Sequence, residues 1–132
     1  MPVKVLLDAN ILISSLKNKL NFFREVEESL LGKVEFLAIP QVLTELERLS
    51  QKMDKTGKYA ALALNLIKEK CKVLEFNASK GASVDDALME ASIKFNVAVA
   101  TLDLRLKRKL REVGRPIITL RGNRIYYEPE FL

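Results

Sequence analysis

The feature that most constrains this chain is an alternation: short apolar runs rich in β-branched residues take turns with apolar stripes at helical spacing. Val3–Leu7, interrupted only by Lys4, reads as a buried strand. Phe22, Phe23, Val26 and Leu30 recur at helical spacing up to Gly32. Residues 34–39 read as a second strand, and Pro40 stands where a helix would take its first residue. Val42, Leu43, Leu46 and Leu49 continue from it as one stripe, and 52–58, with Thr56-Gly57, reads as a loop. Tyr59, Leu62, Ala63, Leu66 and Ile67 mark the next helix, 73–76 a short strand, and 77–83 a polar loop. Val84, Leu88, Ala91 and Phe95 then give a helix, 97–100 a buried strand, and Leu102, Leu106, Leu110 and Val113 the last clear helix, stopped by Gly114 and Pro116. Residues 117–120 read as a strand, with Gly122-Asn123 as a two-residue turn into 124–127.

Such an order builds βαβ units. The expected fold is α/β: a mainly parallel central sheet of about five strands, helices on both faces, and a C-terminal hairpin strand. A length of 132 residues leaves room for one core, so 1–132 is expected to be a single domain. No apolar run is long enough to span a bilayer, and the N-terminus lacks the layout of a secretory signal. The single cysteine, Cys71, can form neither an internal disulfide nor a structural zinc site, so the cytoplasm is the expected compartment.

The chain has no histidine, which removes triads, imidazole acid–base pairs and the usual transition-metal ligands together. Its five glycines form no phosphate-cradling run. Any catalysis must rest on carboxylates. In a parallel sheet, ligands bind outside the carboxyl ends of the strands, which says where to look. Asp8 directly follows the first strand, and Asp103 lies just beyond the strand at 97–100. Asp85 and Asp86 open the helix before that strand. Glu45 sits in the second turn of the helix after 34–39, and helical side chains lean back toward the N-terminus, returning its carboxylate to the strand ends. Four elements thus deliver acids to one edge. Each has a plainer reading: Ser83 with Asp86 is a helix cap, Asp85 and Asp86 suit a helix dipole, Asp103 is equally well placed near a helix start, and Glu45 alone is ordinary. Asp8 matches no evident cap. Crowded carboxylates repel unless a cation sits among them, and with oxygen ligands only the fitting ion is Mg²⁺ or Mn²⁺.

Charge is equally uneven. From Leu104 to Arg124, Arg105, Lys107, Arg108, Lys109, Arg111, Arg115, Arg121 and Arg124 face Glu112 alone. Eight against one leave +7, so with +5 on the whole chain the remainder carries −2. Such a cluster is an electrostatic footprint for a polyanion, although a solvated helix face explains it equally well on composition. A basic segment beside an acidic metal site is what a nuclease requires.

Four segments in order resemble the PIN domain ribonucleases: Val5-Leu6-Leu7-Asp8-Ala9-Asn10, Pro40-Gln41-Val42-Leu43-Thr44-Glu45-Leu46, Asp85-Asp86-Ala87-Leu88-Met89-Glu90-Ala91 and Val97-Ala98-Val99-Ala100-Thr101-Leu102-Asp103. The closing Arg105–Glu112 run with Gly114, Pro116 and Leu120-Arg121-Gly122 resembles archaeal relatives of the small-subunit rRNA processing nucleases more than VapC-type toxins. The resemblance implies that Asp8, Glu45, Asp86 and Asp103 are the catalytic metal ligands, with Asp85 auxiliary and Asn10 and Thr101 orienting them. It departs at Leu104, where relatives commonly carry a polar or basic residue. The expected function is a Mg²⁺/Mn²⁺-dependent endoribonuclease, with Arg105, Lys107, Arg108, Lys109 and Arg111 holding RNA. The rivals are a non-catalytic RNA-binding or ribosome-assembly protein, the toxin of a toxin–antitoxin pair with an inhibitor protein as partner, and a phosphatase or receiver-like domain. The last would need an acidic pair at Asp8 and a lysine near Leu120, and has neither. Leu30-Leu31 and the Tyr59–Ile67 stripe leave a homodimer open, with core packing as the competing explanation.

Overall fold

A computed structural model describes residues 3–129; residues 1–2 and 130–132 of the expected 1–132 domain lie outside the described part. The elements run β1 (Val3–Leu7), α1 (Ala9–Lys17), α2 (Phe22–Leu30), β2 (Val34–Ala38), α3 (Pro40–Ser50), α4 (Lys55–Lys70), β3 (Lys72–Val73), α5 (Val84–Phe95), β4 (Ala98–Ala100), α6 (Leu104–Glu112), β5 (Ile117–Arg121) and β6 (Arg124–Glu128). Capping explains most helix starts. Asn21, Asp54, Ser83 and Asp103 each accept a hydrogen bond from a backbone N–H in the first turn of the following helix, and Pro40 opens α3.

The sheet has six strands in the order β3-β2-β1-β4-β5-β6, all neighbours parallel except the β5–β6 hairpin. The chain winds outward from β1 to β3, then crosses to β4 and winds the other way. Right-handed crossovers in opposite directions put helices on opposite faces. Accordingly α1, α3 and α4 pack together, and α5 packs with α6. Between them lies one continuous core that includes Leu6, Leu7, Ile39, Leu46, Ile67, Leu88, Leu106 and Ile117. Strand order reverses between β1 and β4, and at that point the crossovers diverge and leave a crevice beyond the strand ends.

The structure corrects the sequence reading in three places. Helix α1 was not expected, because Ile11, Leu12 and Ile13 are consecutive and show no helical stripe. All three are buried, as are Ala9 and Ser15, so the apolar face is broad and the polar face is a narrow stripe of Asn10, Ser14 and Lys17. The loop expected at 52–58 is shorter, since Asp54 caps α4. Gly57 lies inside that first turn, where a Cβ would stand 1.9 Å from the Lys52 carbonyl oxygen. The strand expected at 73–76 pairs only over Lys72–Val73, at the sheet's edge. Phe76 leaves the ladder to pack edge-on against Phe95 at 5.9 Å.

Candidate active site

The two strands that flank the reversal end side by side. Asp8 follows β1, and its backbone N–H donates to the Ala100 carbonyl at 2.9 Å. Thr101 follows β4 and donates its own N–H to Ile118 at 3.0 Å, extending the ladder. The Asp8 side chain is 4% exposed. Its Oδ1 accepts from the Ala9 N–H at 2.8 Å and its Oδ2 from the Thr101 hydroxyl at 2.7 Å. Asp8 is therefore the N-cap of α1, a role that stayed invisible because the helix itself was not expected. Thr101 Oγ1 in turn accepts from the Asp103 N–H at 3.1 Å, and Asn10 Oδ1 accepts from the Leu102 N–H at 3.0 Å. The two residues expected to orient the acids thus tie the β4–α6 loop to the start of α1. Asp103 caps α6, with Oδ1 accepting from Arg105 and Leu106 at 2.8 and 3.2 Å.

Around this network the carboxylates act on one another. Burial, first, pushes the Asp8 carboxyl up to about 6; the Thr101 hydrogen bond works against it, and the charges of Glu45 and Asp85 add to it. Glu45 is raised by burial, opposed by Arg48, and raised further by Asp85 and Asp103. Asp85 is raised by burial and the charge of Asp103, and by a carboxyl–carboxyl contact with it, while Lys109 and Arg105 oppose. Asp8, Glu45, Asp85 and Asp103 are accordingly neighbours, delivered by four elements.

Asp86 behaves otherwise. Its Oδ1 accepts from Lys109 Nζ at 2.8 Å, and that bond, followed by those with Ser83, holds its carboxyl below the usual carboxylate value. Successive helical residues point 100° apart, so the two aspartates opening α5 do not share a direction. The family resemblance implies Asp86 as ligand and Asp85 as auxiliary. Asp85 is the one whose electrostatic neighbours are the other acids, whereas Asp86 faces α6 as one half of an ion pair.

The donor set is all oxygen, and the like charges that raise Asp8, Glu45 and Asp85 are what a hard divalent ion would relieve. Among the described residues, no three of these groups are close enough to form a ready-made cage. Mg²⁺ commonly keeps several waters and takes only one or two carboxylates directly, so a loosely spaced set of acids fits it. A cleft of about 360 Å³ adjoins Glu45, lined also by Asn10, Ser14 and Lys17. A more apolar cleft, lined by Leu12, Leu16, Phe22, Phe23 and Leu66, contains no acid and is separate from this chemistry.

Three of the five basic residues expected to hold RNA have side-chain partners within the chain. Lys109 is paired with Asp86, Arg111 with Glu128, and half-buried Lys107 reaches Thr119 Oγ1 at 3.4 Å. Arg105 and Arg108 are exposed, and their guanidinium groups have no hydrogen-bond or ion-pair partner among the described residues. The Lys109–Asp86 pair spans 23 residues and left no local signal in the sequence.

Comparison with known proteins places these features in context. The family described as PIN like domain matches residues 5–123. The chain is 36% identical over 126 residues to Ribonuclease VapC4 of Methanocaldococcus jannaschii, covering 95% of each. It is 30% identical to the rRNA-processing protein FCF1 of Saccharomyces cerevisiae, covering 92% of this chain and 62% of that protein. Among solved structures, the PIN domain endonuclease Utp24 superposes with a TM-score of 0.82 at 28% identity, over 96% of this chain and 92% of its own.

Proposed function

Because this chain belongs to the PIN-like domain family, and because four elements bring Asp8, Glu45, Asp85 and Asp103 to the point where its strand order reverses, we propose that it is a Mg²⁺- or Mn²⁺-dependent endoribonuclease. The observation that carries this reading is a buried Asp8, held between the ends of two neighbouring strands, on which the charges of Glu45 and Asp85 act. Ion-bound water activation and neutralisation of phosphate charge are the chemistry the metal supplies when present. The rest falls to the chain. Thr101 and the Ala9 N–H fix the Asp8 carboxylate, and the α6 cap fixes Asp103, so two donors are held rigidly before substrate arrives. Glu45 and Asp85 complete the set from α3 and α5. Arg105 and Arg108 face outward next to Asp103 and contact phosphates flanking the cut, while Asp86 positions Lys109 beside the acids. RNA as substrate is supported by relatives named as a ribonuclease and an rRNA-processing protein. Among the described residues no helix is long and apolar enough to cross a membrane.

The test is incubation of the purified protein with a labelled single-stranded RNA in Mn²⁺, in Mg²⁺ and in EDTA. Internal cleavage with either ion, abolished by EDTA and by Asp103→Asn, is the expected result. RNA binding without metal-dependent cleavage would replace this reading with the non-catalytic one.

A further inference from the structure

The nuclease reading gives the C-terminal hairpin no role, yet its surface carries an unbalanced charge. Register pairs Arg121 with Arg124, Thr119 with Tyr126 and Ile117 with Glu128, and directly opposed residues share a face. Helix α6 lies along that face, since Lys107 reaches Thr119 and Arg111 holds Glu128. Lys107, Arg111, Arg121 and Arg124 therefore gather there. Like charges set directly opposite across an antiparallel pair destabilise it, as Arg121 and Arg124 are. Lys107 is held below the usual lysine value by burial and then by the charges of Arg111 and Arg121. The acids acting on it are Glu128, already engaged by Arg111, and Asp103.

Within this positive surface stands an exposed aromatic ring. Tyr126 is 36% exposed, and the Arg121 guanidinium lies over it at 4.8 Å. Position completes the case. Thr101 bonds to Ile118, so β5 outruns β4, and Arg121 lies roughly 7 Å past the level of Thr119 at ~3.3 Å per residue. The hairpin tip thus projects from the same sheet edge as Asp8 and Asp103, with Lys107 between.

We infer that this face is a subsite for single-stranded RNA next to the cleavage point: the Tyr126–Arg121 pair stacks a nucleobase, and Lys107 and Arg124 take adjacent phosphates. It rests on the nuclease reading for its substrate class. An aromatic ring backed by a guanidinium offers a flat π-surface that any unpaired base can occupy, and cations beside it track the backbone. An acidic protein would satisfy the cations but has no need of the ring.

The test is anisotropy titration, in EDTA so that nothing is cut, of a labelled oligouridine, an RNA duplex of equal length and a poly-glutamate peptide. Tyr126→Ala should weaken oligouridine binding about 5- to 150-fold and leave duplex binding unchanged. Tyr126→Phe should bind as wild type. Tyr126→Leu keeps apolar bulk without a π-face and should lose affinity as alanine does, which guards against a misfolded alanine variant. Arg121→Ala with Arg124→Ala should weaken both RNAs and flatten the salt dependence for the single strand by roughly 0.7 per lost contact. Wild-type affinity for oligouridine in both Tyr126→Ala and Tyr126→Leu overturns the subsite, as does equal binding of poly-glutamate. Cleavage assays on the wild type in Mn²⁺ keep the two readings apart. Tyr126-dependent binding without cleavage leaves the subsite and removes the nuclease, and cleavage without Tyr126 dependence does the reverse.

Discussion

Asp8 and Asp86 both lie at helix starts on the same edge of the sheet, and the fold treats them in opposite ways. Asp8 caps α1 from inside the protein, where burial and two like charges push its carboxyl up to about 6. Asp86 opens α5 from outside, where Lys109 holds its carboxyl down. A carboxylate at a helix N-terminus is ordinarily favourable. At Asp8 desolvation overrides that benefit, and at Asp86 the hydrogen bonds with Lys109 and Ser83 outweigh desolvation. Proximity to a helix start therefore does not tell a stabilising acid from a functional one. What tells them apart is whether the ionised form is opposed or satisfied by its surroundings.

The harshest test of that contrast is Asp8→Asn. Cleavage should fall by at least about 100-fold, since even residues that only support a metal ligand commonly give 10–100-fold losses. Stability without metal should move the other way. The folded protein holds a proton on Asp8 that the unfolded chain has released, so this group's contribution is fully present below pH ~4 and lost as pH rises through about 6. At pH 7 the ionised group is then unfavourable by about 3 kcal/mol. Asparagine removes the charge and retains an acceptor for the Ala9 N–H. Melts in EDTA should show the variant equal to or above wild type at pH 7, with the gap closing toward pH 4. A variant that melts well below wild type at pH 7 would make Asp8 a structural cap and nothing more.

Mn²⁺ supplies a second test at the same residue. If the acids bind the ion in their charged form, it should raise the wild-type melting temperature at pH 7 and much less at pH 5, where Asp8 keeps its proton. Calorimetry in two buffers should show proton release on binding near pH 6. Asp86→Asn should preserve most of the effect, and Asp85→Asn should lose most of it. The opposite ranking would restore Asp86 as ligand.

Thr101→Val reaches the same acid indirectly, and a smaller effect follows. Valine keeps the shape and removes the 2.7 Å hydrogen bond that opposes the upward push on Asp8. Metal affinity should drop about 10–100-fold, and the pH profile of Mn²⁺ binding should shift upward. Thr101→Ser, which keeps the hydroxyl, should restore both. A valine variant with unchanged affinity would confine Thr101 to holding the Asp103 backbone.

How much of this was legible depended on range. Asp8 and Asp103 could be placed because the strands before them, at Val3–Leu7 and Ala98–Ala100, are compact apolar runs whose ends are plain in the sequence. Glu45 followed from Pro40, which marks where α3 begins. Helix α1 was hard to read because the buried run Ile11-Leu12-Ile13 hides the narrow polar stripe of Asn10, Ser14 and Lys17, and with the helix went the capping role of Asp8. What sets Asp85 and Asp86 apart could not be read locally, because the partner of Asp86 is Lys109 on another helix. The hairpin could be read from Gly122-Asn123, but its pairing of Arg121 with Arg124 and the ring of Tyr126 over one face needed the register.

The smallest expected effect separates the two aspartates by stability alone. Asp86 is partly exposed, and its carboxyl is lowered first by Lys109 and then by Ser83. Its contribution is therefore present above the ordinary aspartate value and lost as pH falls through the lowered one, the reverse of Asp8. Asp86→Asn should lower the melting temperature slightly at pH 7 and not at all near pH 2. High salt should shrink the difference, because an ion pair that solvent reaches is screened. Lys109→Met should reproduce that loss, and the double variant should lose no more than either alone if the pair acts as a unit. Asp85→Asn, measured beside it in EDTA, should raise stability instead, since removing its charge relieves Glu45 and Asp8. Two neighbouring aspartates giving opposite signs under one set of conditions would establish that α5 presents one acid to the site and spends the other on its own packing. The same sign from both would erase the distinction on which the ligand assignment rests.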